Sequence, residues 1–554
     1  MADGSELVFL PLGGVGEIGM NLGLYGVGPP EDRKWLMVDC GVTFGDASTP
    51  GVDLILPDIR FIEAERDNLA GIVITHAHED HIGALGRLWP RLGVPVHLGP
   101  FAAGLFEAKQ HFEGTEHKVP LEIVRAGDRV SIGPFEVEFV AMSHSIPEPL
   151  ALAITTEAGT VFHTADWKLD AHPGVGIPID RERIAAIGAA GIDALVCDST
   201  NVMRTGESPS EADVAASLRQ LILDAPHRVA VTTFSSHLAR IIAVARAAQE
   251  AEREVVVVGR AFNRVLEVAG ELGYLEGLPP FHDEETAEHL PRRNTLLLCT
   301  GSQGEQRAAL ARIANGEHRR IRLSRGDRVI FSSWTIPGNE RSVLDVVNRF
   351  AEDGVDVVTG NDALVHVTGH PRRDEVAEMY RLVKPKVAVP VHGEPLHLER
   401  HARLAKSLGA TPLVMKNGEI ARLAPGPAEV IDDAPHGRLY LDGHLLLDPE
   451  LSGMRSRRKL SFVGHIAIAV VLDRRGELLA EPEIGCSGLP EPDLDGDSME
   501  ERIGDAVSGA LSSIPRNRRR NTETLRQAVA RAARAEARGI WGKKPVCQVL
   551  VTVL

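Results

Sequence analysis

The sequence predicts an α/β fold: a sandwich of mixed β-sheets, interrupted by an inserted α/β domain and followed by a small α/β domain. Short β-type runs separated by turns fill the first third of the chain, with few helical patterns between them. From about Ser208 to Asp353 strands alternate with clear helices, and after this stretch short strands return. A pattern that changes and then returns is typical of one domain inserted into another.

The first third contains eight predicted strands. The runs are Glu6–Leu10, Asn21–Tyr25, Trp35–Asp39, Gly71–Thr75, Val94–Leu98, Phe135–Ala141, Leu150–Thr155 and Thr160–Thr164. Helices do not follow these strands regularly, so mixed sheets fit this part of the chain better than a doubly wound parallel sheet.

The middle of the chain has the pattern of a parallel α/β unit. Its predicted strands are Arg228–Thr233, Glu254–Val258, Thr295–Cys299 and Asp327–Phe331, and its clearest helices are Glu211–Leu223 and Ser236–Glu252. Later strands are predicted at Ala363–Thr368, Lys386–Pro390, Phe462–Leu472 and Val546–Val553, with a helix at Glu523–Arg538.

These patterns divide the chain into five segments. They are the first part of the sandwich (1–207), the insertion (208–360), the second part of the sandwich (361–423), a proline-rich and acidic linker (424–455) and a C-terminal α/β domain (456–554). They make up three domains, and a length of 554 residues predicts two to four, because a single hydrophobic core stops growing near about 250–300 residues.

Composition excludes several classes of protein. The 44% hydrophobic and 25% charged residues are typical of a soluble globular protein. We recognise no secretory signal in Met1–Leu12 and therefore expect a cytoplasmic location. The five cysteines include no Cys-x-x-Cys pair, which argues against a disulfide framework and a thiolate zinc site. With a net charge of −17, the protein is not expected to coat nucleic acid, so contacts with a polyanion must be concentrated in a local groove.

The most informative motif follows the predicted strand Gly71–Thr75. It is a His-x-His-x-Asp-His cluster made of His76, His78, Asp80 and His81. Three imidazoles and a carboxylate within six residues can converge on one metal site. The alternative is a loop of solvated histidines. It is disfavoured because the cluster comes directly after a buried strand, where functional sites are commonly built.

Three further candidate ligands stand after later predicted strands. His144 follows Phe135–Ala141, Asp166 follows Thr160–Thr164 and His392 follows Lys386–Pro390. Taken singly, each such residue is more often structural, but together with the cluster they complete a set of nitrogen and oxygen donors.

The complete set predicts two divalent metal ions. One would be held by His76, His78 and His144, the other by Asp80, His81 and His392, with Asp166 bridging them. Two cations about 3.5–4 Å apart can clamp the attacking and leaving oxygens of a phosphoryl transfer. Mixed nitrogen and oxygen ligands suit Zn²⁺ or Mn²⁺, and the sequence leaves the choice open. Asp39, at the end of a strand, is predicted to orient one of the ligand imidazoles.

A glycine-rich motif offers a competing interpretation. Gly14–Gly19 matches the dinucleotide-binding fingerprint, and Asp39 follows at about the expected distance of twenty residues. That fingerprint requires a helix after the glycines, whereas Asn21–Gly26 is too rich in glycine for a helix and alternates like a strand. We therefore predict a tight hairpin near the metal site.

With these motifs the chain resembles the metallo-β-lactamase superfamily, whose fold is an αββα sandwich, and the insertion resembles the β-CASP domain of its nucleic-acid-processing members. The resemblance rests on Asp198–Asn201 before the insertion, and on His366–His370 and His392–Glu394 after it. Together with Gly13–Gly19, Trp334–Glu340 and the α/β tail, these motifs are similar to the ribonuclease J family of bacteria over nearly the whole chain.

The resemblance implies a 5′-to-3′ exoribonuclease on single-stranded RNA that prefers a 5′-monophosphate, often with endonuclease activity, in RNA maturation and decay. In this interpretation His370 donates a proton to the leaving oxygen, and Asp80 orients the attacking water or accepts its proton. Asp198 is placed with Asp39 behind the ligands. The family usually has serine where this chain has Thr368, and the hydroxyl that could bind phosphate is retained.

Two segments are candidates for binding the 5′-phosphate. Ser235, Ser236 and His237 stand at a strand end that opens a helix, and the amino terminus of a helix attracts anions. The alternative for these serines is an ordinary helix cap. The resemblance adds the residues of the motif after the insertion, which are His366, Val367, Thr368, Gly369 and His370.

The resemblance also suggests further partners. Gly51, Asp53 and Asp442 are candidates for a structural Ca²⁺ site, with a solvated turn as the alternative. The C-terminal domain resembles the part that the family uses for dimerisation, so a homodimer or tetramer and contact with RNA-degradation machinery are expected. The basic runs Arg455–Lys459 and Arg516–Arg520 are equally consistent with RNA contacts, subunit contacts and solvated charge.

Three other functions remain open at this stage. A β-CASP nuclease acting on DNA would share the same ligands. A hydrolase of small esters or lactams would need no inserted domain. A binding module without catalysis is the third alternative, and the full set of seven candidate donors argues against it.

Overall fold

The structure is a computed structural model that describes residues 5–115, 117–336, 338–491, 496 and 498–554. Pro337, within the Trp334–Glu340 motif, lies outside the described residues. The chain forms two compact units: Met1–Thr43 with Leu56–Arg438, and Phe44–Ile55 with Leu439–Leu554. In the described ranges, every helix is too short or too polar to cross a membrane.

The first part of the chain is rich in strands, as the sequence predicts. The strands are β1 (Glu6–Gly13), β2 (Leu22–Gly28), β3 (Lys34–Val38), β4 (Thr43–Phe44), β5 (Leu54–Pro57), β6 (Leu69–Ile74), β7 (Val96–Leu98), β8 (Leu121–Ile123), β9 (Arg129–Ile132), β10 (Phe135–Ala141), β11 (Leu150–Thr155), β12 (Thr160–His163) and β13 (Ala194–Asp198). The helices are α1 (Arg60–Ala64), α2 (Glu79–Ile82), α3 (Leu85–Leu92), α4 (Pro100–Glu113) and α5 (Arg181–Ala190). β1 and β2 pair antiparallel, so the glycine-rich segment between them is a hairpin, as predicted.

The insertion forms a parallel sheet of its own. Its strands are β14 (Val229–Thr232), β15 (Glu254–Val258), β16 (Phe281–His282), β17 (Thr295–Cys299), β18 (Arg328–Phe331) and β19 (Asp356–Val358). Its helices are α6 (Glu211–Leu223), α7 (Leu238–Glu250), α8 (Arg260–Glu271), α9 (Ala309–Ala314) and α10 (Glu340–Glu352). The strand order is β16-β15-β17-β14-β18-β19, with parallel pairing throughout. The predicted parallel α/β unit is therefore confirmed, and β14, β17 and β18 end at the same edge of the sheet.

The chain then returns to the sandwich. The elements are α11 (Arg373–Val383), β20 (Val387–Val391), α12 (Pro395–Ser407), β21 (Thr411–Pro412), β22 (Glu419–Ala424) and β23 (Glu429–Asp433). Ala363–Thr368, predicted as a strand, forms none. Its central carbonyl, that of Val365, accepts hydrogen bonds from the Arg240 and Ser332 side chains. Hydrogen bonds from side chains therefore replace the backbone hydrogen bonds that a strand would make with a neighbouring strand.

Two sheets build the sandwich. One has eight strands in the order β23-β22-β1-β2-β3-β6-β7-β8, the other seven in the order β21-β20-β13-β12-β11-β10-β9. Apolar side chains of both sheets, including Tyr25 from the first and Phe139 from the second, form one buried cluster between them. On the second sheet, Ile184 of α5 and Met379 of α11 belong to another cluster. β22 and β20, which follow the insertion, complete the two sheets.

The last part of the chain has a separate core. Its elements are β24 (Arg438–Asp442), β25 (Leu445–Leu447), α13 (Met454–Val463), β26 (His465–Leu472), β27 (Glu483–Ser487), α14 (Met499–Ser513), α15 (Arg516–Arg519), α16 (Thr522–Trp541) and β28 (Val546–Val553). β27-β26-β28 form a sheet, and its apolar residues cluster with those of α14 and α16. The segment 424–455, predicted as a linker, contains the strands β23, β24 and β25, so part of it has regular structure.

A buried ion network joins the insertion to the sandwich. Arg240 of α7 is 0% exposed, and its guanidinium donates to Glu211 Oε2 over 2.8 Å and to Val365 O over 2.9 Å. Lys168, equally buried, lies 2.9 Å from Asp170 and 3.5 Å from Glu211. Glu211 follows the first junction with the insertion and Val365 follows the second, so the network ties both junctions together.

We expect Arg240→Met to destabilise the protein by about 3–5 kcal/mol, because it leaves the Glu211 carboxylate buried beside fewer positive partners. Urea unfolding followed by far-UV circular dichroism measures this free energy. The matched control is Arg219→Gln, which removes the exposed pair with Glu250 and should cost at most about 1 kcal/mol. Equal losses in the two variants would contradict this role of the network.

Candidate metal centre

The predicted ligands stand where strands end. His76 and His78 follow β6, Asp80 and His81 lie in α2, His144 follows β10, Asp166 follows β12 and His392 follows β20. Strands of both sheets of the sandwich therefore position the candidate metal ligands. In the described ranges, three groups of such side chains bring their ligand atoms within 4.8 Å of one another, and the seven predicted ligands form the first two groups.

The first group consists of His76, His78, His144 and Asp166. His78 Nδ1 lies 3.1 Å from His76 Nε2 and 3.0 Å from His144 Nε2. His144 Nδ1 donates to the carbonyl oxygen of Gly369 over 2.7 Å. A neutral imidazole with its proton on Nδ1 presents a lone pair on Nε2, so His144 directs a ligand atom at the other two imidazoles.

The second group consists of Asp80, His81, Asp166 and His392. His392 Nε2 lies 3.2 Å from Asp80 Oδ2, and His81 Nε2 lies 3.2 Å from Asp166 Oδ2. Asp166 belongs to both groups, the position expected of a bridging ligand. The third group shares Asp166 and His392 with this one and adds Asp198 and His370.

Hydrogen bonds from behind orient the ligands. Asp39 accepts from His81 Nδ1 over 2.7 Å and from the Thr75 backbone N–H over 2.8 Å. Thr200 Oγ1 lies 2.7 Å from His392 Nδ1. Such contacts fix the orientation of an imidazole and leave its other nitrogen for a metal. Asp39 and His392 both have positive φ, 63° and 52°, a conformation that is uncommon for residues other than glycine and that the surrounding contacts stabilise.

Burial sets the charge of the histidines. Burial, followed by the neighbouring imidazoles, lowers the pKa of His76 well below its ordinary value, and burial lowers the pKa of His78 to about 4. Neutral imidazoles of this kind can bind a metal. Burial alone would also lower the pKa of His81 and His392, but Asp166 and the other nearby carboxylates outweigh it and raise both values. Carboxylates that attract protons onto imidazoles also favour divalent cations, so the donor set fits divalent metal ions.

The candidate phosphate-binding serines lie between β14 and α7. The residue at the cap position of α7 is His237, and its side chain makes no capping hydrogen bond. Ser235 and Ser236 are half-buried. His237 is buried, with Nε2 3.3 Å from Glu211 Oε1. Neither Ser235 nor Ser236 is therefore the capping residue of α7.

The motif after the insertion contacts the ligands directly. Thr368 Oγ1 accepts from Asn201 Nδ2 over 2.8 Å and from the His370 backbone N–H over 3.2 Å, which leaves its own hydrogen to donate. A Cβ on Gly369 would lie 2.5 Å from the His144 ring. Val367 is buried, and His366 is half-buried, with a buried Nδ1 that has no partner in the described ranges. His370 Nδ1 donates to Asp198 Oδ2 over 2.7 Å.

The calcium candidates lie in the second compact unit. The Asp442 carboxylate forms an ion pair with Arg457, which also donates to the Pro50 carbonyl over 3.4 Å. A Cβ on Gly51 would lie 3.0 Å from the same guanidinium. The backbone carbonyl of Asp53 accepts from the Gly45 N–H over 3.3 Å. A calcium ion bound by Asp442 would therefore have to share this carboxylate with Arg457 or displace it.

Sequence reasoning gave no role to Thr75, Thr200 or His163. Thr75 and Thr200 support Asp39 and His392, while His163 Nδ1 lies 2.9 Å from the Tyr25 hydroxyl in the core behind the centre. One sequence feature could have identified the two threonines: each stands at a strand end, next to a candidate ligand or close to a candidate carboxylate. Nothing in the local sequence marks His163.

Models of known families match consecutive parts of the chain. A metallo-β-lactamase superfamily model matches residues 25–230, and a ribonuclease J β-CASP domain model matches residues 226–350. A model of the RNA specificity domain of Zn-dependent metallo-hydrolases matches residues 354–415. The ribonuclease J C-terminal domain model matches residues 452–554.

Similar proteins cover the whole chain. Ribonuclease J of Sinorhizobium meliloti is 54% identical over 553 residues, which are 100% of this chain and 98% of that protein. Ribonuclease J of Corynebacterium glutamicum is 36% identical, with 100% of this chain and 76% of that protein covered. A crystal structure of a protein of unknown function from Enterococcus faecalis shares the fold, with a TM-score of 0.53 and 16% identity over 75% of this chain and 99% of that chain. The chain therefore belongs to the ribonuclease J family of metal-dependent ribonucleases.

Proposed function

We propose that this ribonuclease removes nucleotides from the 5′ end of single-stranded RNA, prefers a 5′-monophosphate, and also cuts RNA internally. One observation carries the proposal. The Thr368–His370 segment, which offers a hydroxyl to a phosphate, is hydrogen-bonded through the Gly369 carbonyl to the candidate ligand His144. A terminal phosphate bound by this segment would lie at a fixed position relative to the metal centre. The bond that is cut would then lie at a fixed distance from the 5′ end.

The seven donors divide between two ions. His76, His78 and His144 would hold one, Asp80, His81 and His392 the other, and Asp166 would be shared. When bound, two divalent ions activate a water molecule and stabilise negative charge on the phosphoryl oxygens. Nitrogen and carboxylate ligands suit both Zn²⁺ and Mn²⁺.

Proton transfer is assigned in this proposal to Asp80 and His370. The Asp80 side chain is 29% exposed, against 3% for Asp166, so it is the ligand carboxylate that can reach an attacking water and take its proton. His370 is fixed by the bond from Nδ1 to Asp198 and its side chain is 20% exposed. Its Nε2 remains to donate a proton to the leaving oxygen, as a general acid does.

Ser235, Ser236 and Thr368 are proposed to donate hydrogen bonds to the 5′-phosphate. The two serines precede the 13-residue helix α7, whose amino terminus favours an anion. His237 and His366 lie behind them beside Glu211, Arg240 and Lys168, and they would support the pocket. A 5′-hydroxyl end would leave these donors without their acceptor.

The C-terminal domain is proposed to join two copies of the chain. β28 is an edge strand of its sheet, and it exposes Leu550 and Val553 to 55% and 46%. An edge strand with exposed apolar residues can pair with the same strand of a second molecule.

The decisive experiment compares three 3′-labelled oligonucleotides of one sequence: 5′-monophosphorylated RNA, 5′-hydroxyl RNA and 5′-monophosphorylated DNA. We expect mononucleotides from the first RNA in the presence of manganese, with little activity after chelation or in His76→Ala. Equal attack on the DNA would favour a DNA nuclease. Absence of cleavage of all three oligonucleotides would favour a hydrolase of small esters or lactams, or a binding module without catalysis.

The same assay tests the phosphate pocket. We expect the Ser235→Ala, Ser236→Ala double variant to lose about tenfold or more of the preference for a 5′-monophosphate over a 5′-hydroxyl, because hydrogen bonds to a charged group contribute about 1.5–3 kcal/mol. Thr368→Ser should keep the preference and Thr368→Val should weaken it. An unchanged preference in the double variant would place the pocket elsewhere.

We expect His370→Ala to lower kcat by about 10²–10⁴-fold, the usual contribution of a general acid, with unchanged metal content. Turnover and metal stoichiometry by inductively coupled plasma mass spectrometry give the two readings. Full turnover in this variant would remove His370 from the proposed role.

Gly369→Ala is expected to lower bound metal as well as activity, because its Cβ would clash with the His144 ring. Gly360→Ala is the matched control, since a Cβ there meets nothing within 4 Å. If both variants retained wild-type metal content, the contact between the motif and the ligand would be less rigid than the distance indicates.

A further inference from the structure

Two arginines lie beside the His366–His370 motif and have no role in the proposed chemistry. Arg204 follows the Asp198–Asn201 segment, and its backbone N–H donates to the carbonyl oxygen of Asn201 over 2.9 Å. Arg372 follows His370 and pairs through its backbone with Asn201. Asn201 in turn donates to Thr368. The backbones of both arginines are therefore joined through Asn201 to the candidate phosphate-binding hydroxyl of Thr368.

Neither arginine has an ion-pair partner among the residues that the structure describes, and the buried Arg372 Nε has no hydrogen-bond partner there. Burial, followed by the proximity of Arg372, lowers the pKa of Arg204. Two guanidinium groups that are close enough to repel each other, and that have no ion-pair partner among the described residues, favour the binding of an anion. In a chain of net charge −17, such a pair beside the metal centre indicates a place for phosphate groups.

Trp334 completes the patch from the side of the insertion. The Arg204 Cζ lies 4.3 Å from the centroid of the indole ring, which belongs to a side chain 54% exposed. The Trp334 carbonyl accepts from Gln303 Nε2 over 2.8 Å, and the Ile336 N–H donates to Gln303 Oε1 over 2.8 Å. These bonds hold the backbone of the loop after β18, so the ring is presented on a fixed support.

We propose that Trp334 and Arg204 form a stacking site for one nucleobase of the bound RNA, with Arg204 and Arg372 contacting the adjacent phosphates. The inference deepens the proposed action on single-stranded RNA and rests on it. Aromatic rings and arginines along a groove are the usual means of binding single strands without sequence preference, because every base has a stacking face. The site adds affinity beyond the terminal phosphate.

An alternative role for this pair is a clasp between the insertion and the sandwich. The chain contains a matched pair for comparison: Arg264 of the insertion lies 5.5 Å from the ring of Phe112 in α4, and Phe112 is 70% exposed. That pair also joins the two parts. Phe112→Ala therefore controls for the loss of a surface arginine–aromatic contact.

The experiment measures initial release of the 5′ nucleotide from 12-nucleotide, 5′-monophosphorylated RNAs, each with one abasic residue at a different position. With unmodified RNA, Trp334→Ala should raise KM about tenfold with kcat within about twofold, Trp334→Phe should recover most of the loss, and Phe112→Ala should change neither value. Arg204→Gln should reduce the slope of log KM against log salt by about 0.7, the value for one phosphate contact of a single strand.

The abasic series separates stacking from a clasp. In the wild type, one abasic position should raise KM about tenfold, and in Trp334→Ala the same position should carry no penalty. A uniform effect of Trp334→Ala on every RNA, or no effect, would overturn the stacking site. Failure of the wild type to release 5′ nucleotides from unmodified RNA would instead overturn the proposed exonuclease activity, so the two failures are distinguishable.

Discussion

The carboxylates of Asp39, Asp166 and Asp198 are buried, and this burial is the constraint that organises the centre. Each ionised carboxylate removed from water costs several kcal/mol unless positive or hydrogen-bonding groups replace the lost hydration. Asp39 meets His81 and Thr75, Asp198 meets His370 and Thr200, and Asp166 faces the imidazoles of both groups. Because these partners come from the ends of strands in both sheets, the sandwich must hold its strand ends in register for the carboxylates to remain buried.

Local sequence predicted the features that depend on local pattern. A polar cluster after an apolar run marks a strand end, so His76–His81, His144, Asp166 and His392 could be placed before their convergence was known. The sequence pattern also predicted the parallel α/β unit of the insertion, since strands such as Glu254–Val258 are short, mostly apolar runs between helices.

The features that sequence missed depend on distant partners. Ala363–Thr368 looks like a strand, yet the carbonyl of Val365 is satisfied by Arg240, which lies 125 residues earlier in the chain. Glu429–Asp433 looks like part of an acidic linker, but it pairs with β22, which itself pairs with β1. Thr200 supports His392 across 192 positions, and no local pattern reports such a contact.

The close approach of Gly369 to His144 has a thermodynamic consequence. The backbone of the proposed 5′-phosphate-binding segment, which includes Thr368, also bears the carbonyl that accepts a hydrogen bond from the candidate metal ligand His144. If a metal ion at His144 restricts the motion of this segment, it also changes the affinity of the segment for a phosphate. Thermodynamic linkage then requires that the phosphate change the affinity for the metal by the same factor. RNA would then help retain the metal, and metal availability in the cell would influence which RNA ends are engaged as well as how fast they are cut.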